Sequence, residues 1–221
     1  MKNIVIVLFF CIPFCGLSQD TLSNWKWGAS VGAEQCGRRL KAIGIDQSAE
    51  AVWNDMEENV WRLTGGVRIQ RELVSGLAVF SGLNYLNRGY RVDTIQDANL
   101  NSLNYSFKYL EIPLGLFYSP MNNRKNSILA NASINAALSI DNSLQYSKDG
   151  QTARFEMDAV PNVNTLSWNV SVGLGIRRAI TNTAHADLYL GGNQSLSPLA
   201  VGNLERRLFS LGIYLSVMES F

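Results

Sequence analysis

The stretch Arg207-Leu-Phe-Ser-Leu-Gly-Ile-Tyr-Leu-Ser-Val-Met-Glu-Ser-Phe221 alternates two kinds of residue and closes on an aromatic ring. Phe209, Leu211, Ile213, Leu215 and Val217 share one parity, and Ser210, Gly212, Tyr214 and Ser216 share the other. A period of two is the signature of a strand with one apolar face. A terminal aromatic after such a strand is a common ending of outer-membrane β-barrels, where it acts as an assembly signal, and Phe221 takes that position here. Met218-Glu219-Ser220 interrupts the pattern, because Glu219 shares the apolar parity.

Seven further segments show the same alternation, at about 25–35, 59–70, 76–88, 105–118, 127–141, 164–177 and 184–193. Each is close to the length that a tilted membrane strand requires, about 9–11 residues. Long connections (36–58, 89–104, 142–163, 194–206) take turns with short ones (71–75, 119–126, 178–183). Transmembrane barrels show this asymmetry, with short periplasmic turns and longer external loops. The expectation is an all-β, eight-stranded, antiparallel up-and-down transmembrane β-barrel over residues 19–221.

The N-terminus reads as a secretory leader, residues 1–18. Lys2 gives a positive start, Ile4–Phe14 is almost wholly apolar, and Gly16-Leu17-Ser18 offers small residues for cleavage. That run is too short for a stable membrane helix. Cys15 raises a lipoprotein alternative, which the bulky Phe14 before it fits poorly. Cleavage leaves Cys36 as the one cysteine, so neither an intramolecular disulfide nor a cysteine metal site is expected. It also removes Lys2, so basic and acidic residues balance at 18 each. No basic tract suggests nucleic acid, and no apolar stretch past the leader reaches the length of a spanning helix. A membrane-embedded chain of this kind must be a closed barrel.

The two parities differ sharply in composition. One carries Trp25, Trp27, Val31, Trp61, Leu63, Val67, Leu83, Tyr85, Ile112, Leu114, Ile134, Trp168, Val172, Leu174, Leu188 and Leu190, without a charge. To the other are assigned Lys26, Glu34, Arg62, Arg68, Arg88, Lys108, Glu111, Asp141, Arg177 and Asp187. Alternation alone is compatible with a soluble secreted barrel holding a small apolar ligand. The aromatics favour the lipid-facing arrangement: Trp25, Trp27 and Tyr118 fall at the periplasmic edge, and Trp61, Tyr85, Trp168 and Phe209 near the opposite one. Two such girdles around an aliphatic band suit the headgroup level of a bilayer.

Tyr109-Leu-Glu-Ile-Pro-Leu-Gly-Leu-Phe-Tyr118, preceded by Ser81-Gly82-Leu83-Asn84-Tyr85 and Asn87-Arg88-Gly89-Tyr90, resembles the PorT-like small outer-membrane β-barrel family. That family combines a "YLEIPL" strand with an earlier "GLxY…KG" strand; Arg88 stands where lysine is frequent. The resemblance implies an architecture similar to OmpA/OmpX-type eight-stranded barrels, and a role as an accessory to protein secretion.

Within an eight-stranded barrel the interior is just wide enough for side chains. An isolated Glu111 there would be costly, so a salt-bridged polar plug of Arg62, Arg68, Arg88, Lys108 and Glu111 is expected to close the lumen. A proton or ion path is the functional alternative. Pro113 points inward and removes one ladder hydrogen bond, which predicts a bulge or kink. His185, with Asp187 and with Ser167, Ser171 or Ser195, invites a dyad reading for a lipid-modifying enzyme. No nucleophile signature accompanies it, and its expected place is the periplasmic end.

A short helix is expected within residues 48–58, carrying Val52, Trp53 and Met56, and a charged, aromatic-containing loop at Gln145–Pro161. The functional expectation is a non-enzymatic structural or interaction role through external loops, with no catalytic, metal or cofactor site. The expected partners are membrane lipid, the barrel-assembly machinery and an envelope or extracellular protein.

Overall fold

In the computed structural model, residues 25–42, 56–95, 100–120, 125–148, 151–156, 164–199 and 204–220 are described. The leader, most of the 48–58 segment and Phe221 lie outside them. Among the described residues, alternation of β-favouring residues produces nine strands: β1 (Trp25–Ala42), β2 (Glu57–Val74), β3 (Leu77–Ile95), β4 (Leu100–Tyr118), β5 (Asn126–Lys148), β6 (Gln151–Glu156), β7 (Leu166–Ala179), β8 (Ala184–Ser195) and β9 (Leu204–Ser220). All pairings are antiparallel. The ring runs β1-β2-β3-β4-β5-β7-β8-β9 and closes where β9 pairs with β1 from Lys26↔Ser220 to Ala42↔Leu204.

Two expectations need correction. The lumenal ring has the anticipated eight strands, but β6 is a ninth, pairing with β5 from Ser143↔Glu156 to Lys148↔Gln151 in what reads as the third long loop. Much of the expected loop length is also strand: β3 runs on to Ile95, β4 starts at Leu100, and Glu57 and Glu58 open β2 instead of ending a helix. The reason is physical. A membrane sets the length of the apolar band, yet backbone pairing continues above it wherever neighbouring strands persist.

Pro113 makes no bulge. The β3–β4 register is unchanged from Ser81↔Leu114 to Asn84↔Glu111, and the Ser81 hydroxyl donates to the Pro113 carbonyl at 2.8 Å. Register shifts occur instead between Asn59 and Gly65 towards the external end of β2, between Glu72 and Val74 at its periplasmic end, and between Lys108 and Tyr109 of β4.

The apolar parity faces outward. Leu63 is 71% exposed, Leu174 67% and Ile128 63%, and the girdle rings Trp27, Trp61, Tyr85, Tyr118 and Trp168 are exposed beside them. A chain in water would bury these side chains; in a bilayer they meet acyl chains. The soluble-barrel alternative therefore fails on the direction of its own apolar face. At the periplasmic end, Gly76 turns β2 into β3 with φ +82°. A side chain there would strike the Ser119 carbonyl, whose own amide donates to the Gly76 carbonyl at 2.6 Å.

Candidate functional site

The inward parity fills the lumen in three storeys. Nearest the periplasm, Arg177 of β7 grips Asp187 of β8 with two donors, Nε to Oδ1 at 2.8 Å and Nη2 to Oδ2 at 3.1 Å. The strands make this pair directly opposite, and fork-on-carboxylate geometry is the strong form of such a contact. Arg68 Nη2 donates to the Ser216 hydroxyl at 2.6 Å. Phe117 packs beneath both guanidiniums, with the Arg177 carbon 4.7 Å and the Arg68 carbon 5.4 Å from the ring centre.

In the middle storey, buried Arg88 lies between two buried carboxylates. Its Nε is 3.8 Å from Glu34 and its Nη2 is 3.8 Å from Glu111. Tyr214 Oη donates to Glu34 at 2.9 Å, and Asn169 Nδ2 donates to Glu111 at 2.9 Å. Each carboxylate is thus held by a neutral donor as well as by the shared cation, which buried charge requires. Between this storey and the lower one lies a cavity of about 80 Å³ bordered by Asn84, Asn131, Asn135, Asn193 and Arg68. Asn135 and Asn193 both donate to the Ser171 hydroxyl, at 2.6 and 2.8 Å.

The uppermost storey is apolar. Leu86, Tyr90, Val92, Phe107, Tyr109, Ala137, Leu199 and Leu208 form one buried cluster, with Met56, Leu103 and Tyr105 against it. Tyr90 stacks on Tyr105 at 4.6 Å between ring centres. Arg38 donates to the Tyr90 hydroxyl at 2.8 Å and pairs with Glu57. Leu199 reaches the cluster from the connection after β8, pinned by Asn164 N–H donating to its carbonyl at 3.0 Å. Beneath Leu199 only a pocket of about 10 Å³ separates it from Arg88.

Of the five expected plug residues, Arg88 and Glu111 meet, Arg68 sits one storey below, and Arg62 donates to Asn104 Oδ1 at 2.6 Å nearer the external end. Lys108 is a correction: it does not face the lumen. Tyr109, Glu111 and Pro113 are buried inward, so Lys108 has the outward parity of Leu110 and Ile112. It pairs with its cross-strand partner Asp141, which Arg154 of β6 also reaches at 3.2 Å. The pair lies just above Leu110↔Leu138, outside the apolar band.

Sequence reasoning missed the donors Tyr214 and Asn169 and the aromatic cap. Tyr214 was legible as the one large residue among Ser210, Gly212 and Ser216; the cap was not, because it straddles segments read as loops.

His185 is buried at the periplasmic end, opposite Ala179 and Met218, with Nε2 3.8 Å from Asp187. The serines considered with it lie elsewhere: Ser195 is opposite Asn169 towards the external end, and Ser171 is taken by the two asparagines. Among the described residues no group of three or more His, Cys, Asp or Glu could hold a metal, and no helix is long and apolar enough to cross a membrane.

A closed ring with an apolar exterior and a filled polar interior is the arrangement of a small outer-membrane barrel. The family model described as "Outer membrane protein beta-barrel domain" matches residues 17–201. The chain belongs to this family. Its place is the outer membrane. The barrel is similar to OprG from Pseudomonas aeruginosa, at 12% identity and a TM-score of 0.54, over 91% of this chain and 98% of that one. Neisserial surface protein A matches at 12% identity and 0.45, over 90% and 98%. Ail, the attachment invasion locus protein of Yersinia pestis, matches at 12% and 0.35, over 86% and 97%. These likenesses speak to fold alone. No curated protein matches the chain.

Proposed function

We propose that this family member is a non-enzymatic outer-membrane barrel that works by recognition, through the wall and loops standing above the membrane. The observation that supports this reading is the contrast between its two halves. Among the described residues, the lumen is crossed by the Arg177–Asp187 and Glu34–Arg88–Glu111 layers and topped by the aromatic cap. The external wall is built well beyond what lipid requires, with β3, β4, β5 and β6 continuing as a sheet above Lys108 and Asp141. Rigidly mounted external segments are where recognition usually resides.

The partner in this reading is an envelope or extracellular protein, and insertion proceeds through the barrel-assembly machinery. An accessory role in protein secretion is its narrower form, supported by the Tyr109–Tyr118 resemblance. A photo-crosslinking residue placed at Thr152 or Arg154, both exposed on β6, tests the reading in intact cells. The expected result is a discrete protein adduct from these positions and none from lipid-facing Val172. Absence of adducts from every position above the band, or nanosiemens-scale conductance of the purified chain in planar bilayers, would overturn it. The secretion form further expects deletion of the gene to lower secreted protein in the medium.

A further inference from the structure

The chamber between the two polar storeys follows from short side chains at mid-height. Ser30, Asn131, Ser133, Asn135, Ser171 and Asn193 line it from four strands, and they leave about 80 Å³ of the lumen unfilled. Polar groups without partners border that space. On its periplasmic side, Arg68 is fixed through Nη2 to Ser216, and Asn131 sits opposite Gly173. Arg68 Nε and Asn131 Nδ2 find no acceptor among the protein atoms. On its external side, Asn135 and Asn193 donate to Ser171, and both of their carbonyl oxygens lack a donor. Glu34 and Glu111 border the same side, each 3.8 Å from Arg88, whose Nε and Nη2 make no direct hydrogen bond. A polar contact of that length is suited to a bridging water.

Charge and direction decide what the chamber takes. Buried donors and acceptors without partners are costly, so its occupant must match them. The charged groups at its border are Arg68 and Arg88 against Glu34 and Glu111, which already balance. An ion of either sign would stand there uncompensated at low dielectric. The unmatched amide and guanidinium atoms are donors on the periplasmic side, whereas the unmatched amide atoms on the external side are acceptors. An anion would match only the first set and a cation only the second. A neutral ligand that accepts from one side and donates to the other matches both. Water does this, and at about 15 Å³ of cavity per molecule about five fit. Apolar clusters lie at both ends: Phe80, Phe117 and Leu129 towards the periplasm, and the aromatic cap beyond Arg88.

We propose that the chamber is a binding site for an ordered chain of about five waters, running from Arg68 and Asn131 to Asn135, Asn193 and the Glu34–Arg88–Glu111 layer. The chain joins the lower polar storey to the middle one, and the packed rings at its two ends keep its waters in place.

NMR spectroscopy of the isotope-labelled full chain in lipid nanodiscs tests this, with water itself as the probe. Cross-peaks to water, with the sign that marks long residence, are expected at the side-chain N–H groups of Arg68, Asn131, Asn135 and Asn193. Ser133→Leu puts an apolar side chain into the chamber, from a position between Gly115 and Ser171. The Arg68 and Asn131 cross-peaks are then expected to be lost, and Ser133→Ala is expected to keep them. Heat-modifiability reports the folding of each variant, and Ser133→Val carries the comparison if the leucine variant does not fold. A wild type without these cross-peaks would overturn the proposal, as would their survival in a folded Ser133→Leu barrel. A saturable shift of Arg68 Nε with added chloride, or of the Asn135 and Asn193 amides with added sodium, would assign the chamber to an ion and overturn it equally.

Discussion

Glu34 and Tyr214 are 180 residues apart in the chain and joined by a 2.9 Å hydrogen bond across the seam that closes the barrel. The phenol holds one oxygen of the carboxylate while Arg88 faces the other from β3. Closure of the ring and neutralisation of the lumen thus depend on the same side chain. Replacing Arg88 with Met leaves Glu34 and Glu111 buried without their shared cation, and the expected loss is about 3–5 kcal/mol. Tyr214→Phe removes one donor and is expected to cost about 1–3 kcal/mol. The triple change Glu34→Gln/Arg88→Met/Glu111→Gln is expected to recover most of the Arg88 loss, since no uncompensated charge remains. Urea unfolding in lipid vesicles, followed by the gel shift on heating, measures all three; equal stability of Arg88→Met and wild type would contradict the assignment.

The outward face makes a sharper demand on lipid than on packing. Val172 is 59% exposed, between Trp168 and Ile176 on β7, and opposite Ala132 and Gly192. Val172→Arg places a charge near the middle of the band and is expected to cost about 2–4 kcal/mol in a bilayer. In water the same change at so exposed a site would be almost silent. The vesicle unfolding assay therefore separates a lipid-facing surface from a merely solvent-facing one.

Parity was the legible part of this molecule. Leu211, Ile213 and Leu215 could be read as one face because lipid accepts only apolar side chains, so the outer pattern is nearly free of exceptions. The inner face carries no such uniformity, and its members are paired by register, which alternation does not reveal. Glu111 was recognisable as needing a cation, but its proximity to Arg88 and Asn169 depends on how β4, β3 and β7 stagger around the ring. Lys108 departs from the expected inward face because charge marks the lumen only within the apolar band. Beyond the band that inference no longer holds, since an outward residue there meets water or headgroups. The β6 hairpin was hidden for the same reason: Gln151-Thr-Ala-Arg-Phe-Glu156 has no lipid to impose a face.

The Lys108–Asp141–Arg154 cluster ties that hairpin to β4 and gives it an acid limit. Hydrogen bonding from Lys108, aided by the Lys108 and Arg154 charges, holds the Asp141 carboxyl below its ordinary value of 3.8. A carboxyl depressed in the folded state contributes stability that is fully present above the unfolded value and is lost as pH falls through the folded one. The tether should therefore hold down to about pH 4 and weaken below it, while Asp141→Asn shows no such step. Because the pair is part-exposed and screened, the effect should stay below about 1 kcal/mol. Limited proteolysis within residues 143–156 across a pH series reads it directly, using an acid-active protease.

The lone histidine is the last test of a non-catalytic reading. His185 is buried at the periplasmic end beside Asp187, whose carboxylate is already engaged by both donors of Arg177. A base that activates a nucleophile must reach it at about 2.6–3.2 Å, and Ser167, Ser171 and Ser195 lie further along the barrel wall, opposite Ala137, Asn193 and Asn169. The site also faces away from the outer leaflet, where a phosphorylated lipid substrate would be met. His185→Ala is expected to leave the lipid A composition of cells unchanged, as judged by mass spectrometry of extracted lipid from strains with and without the variant. Its effect should fall on stability instead, through a small cavity next to the Arg177–Asp187 pair. A lipid A species that disappears in His185→Ala cells at normal barrel abundance would establish an enzyme in place of a recognition barrel.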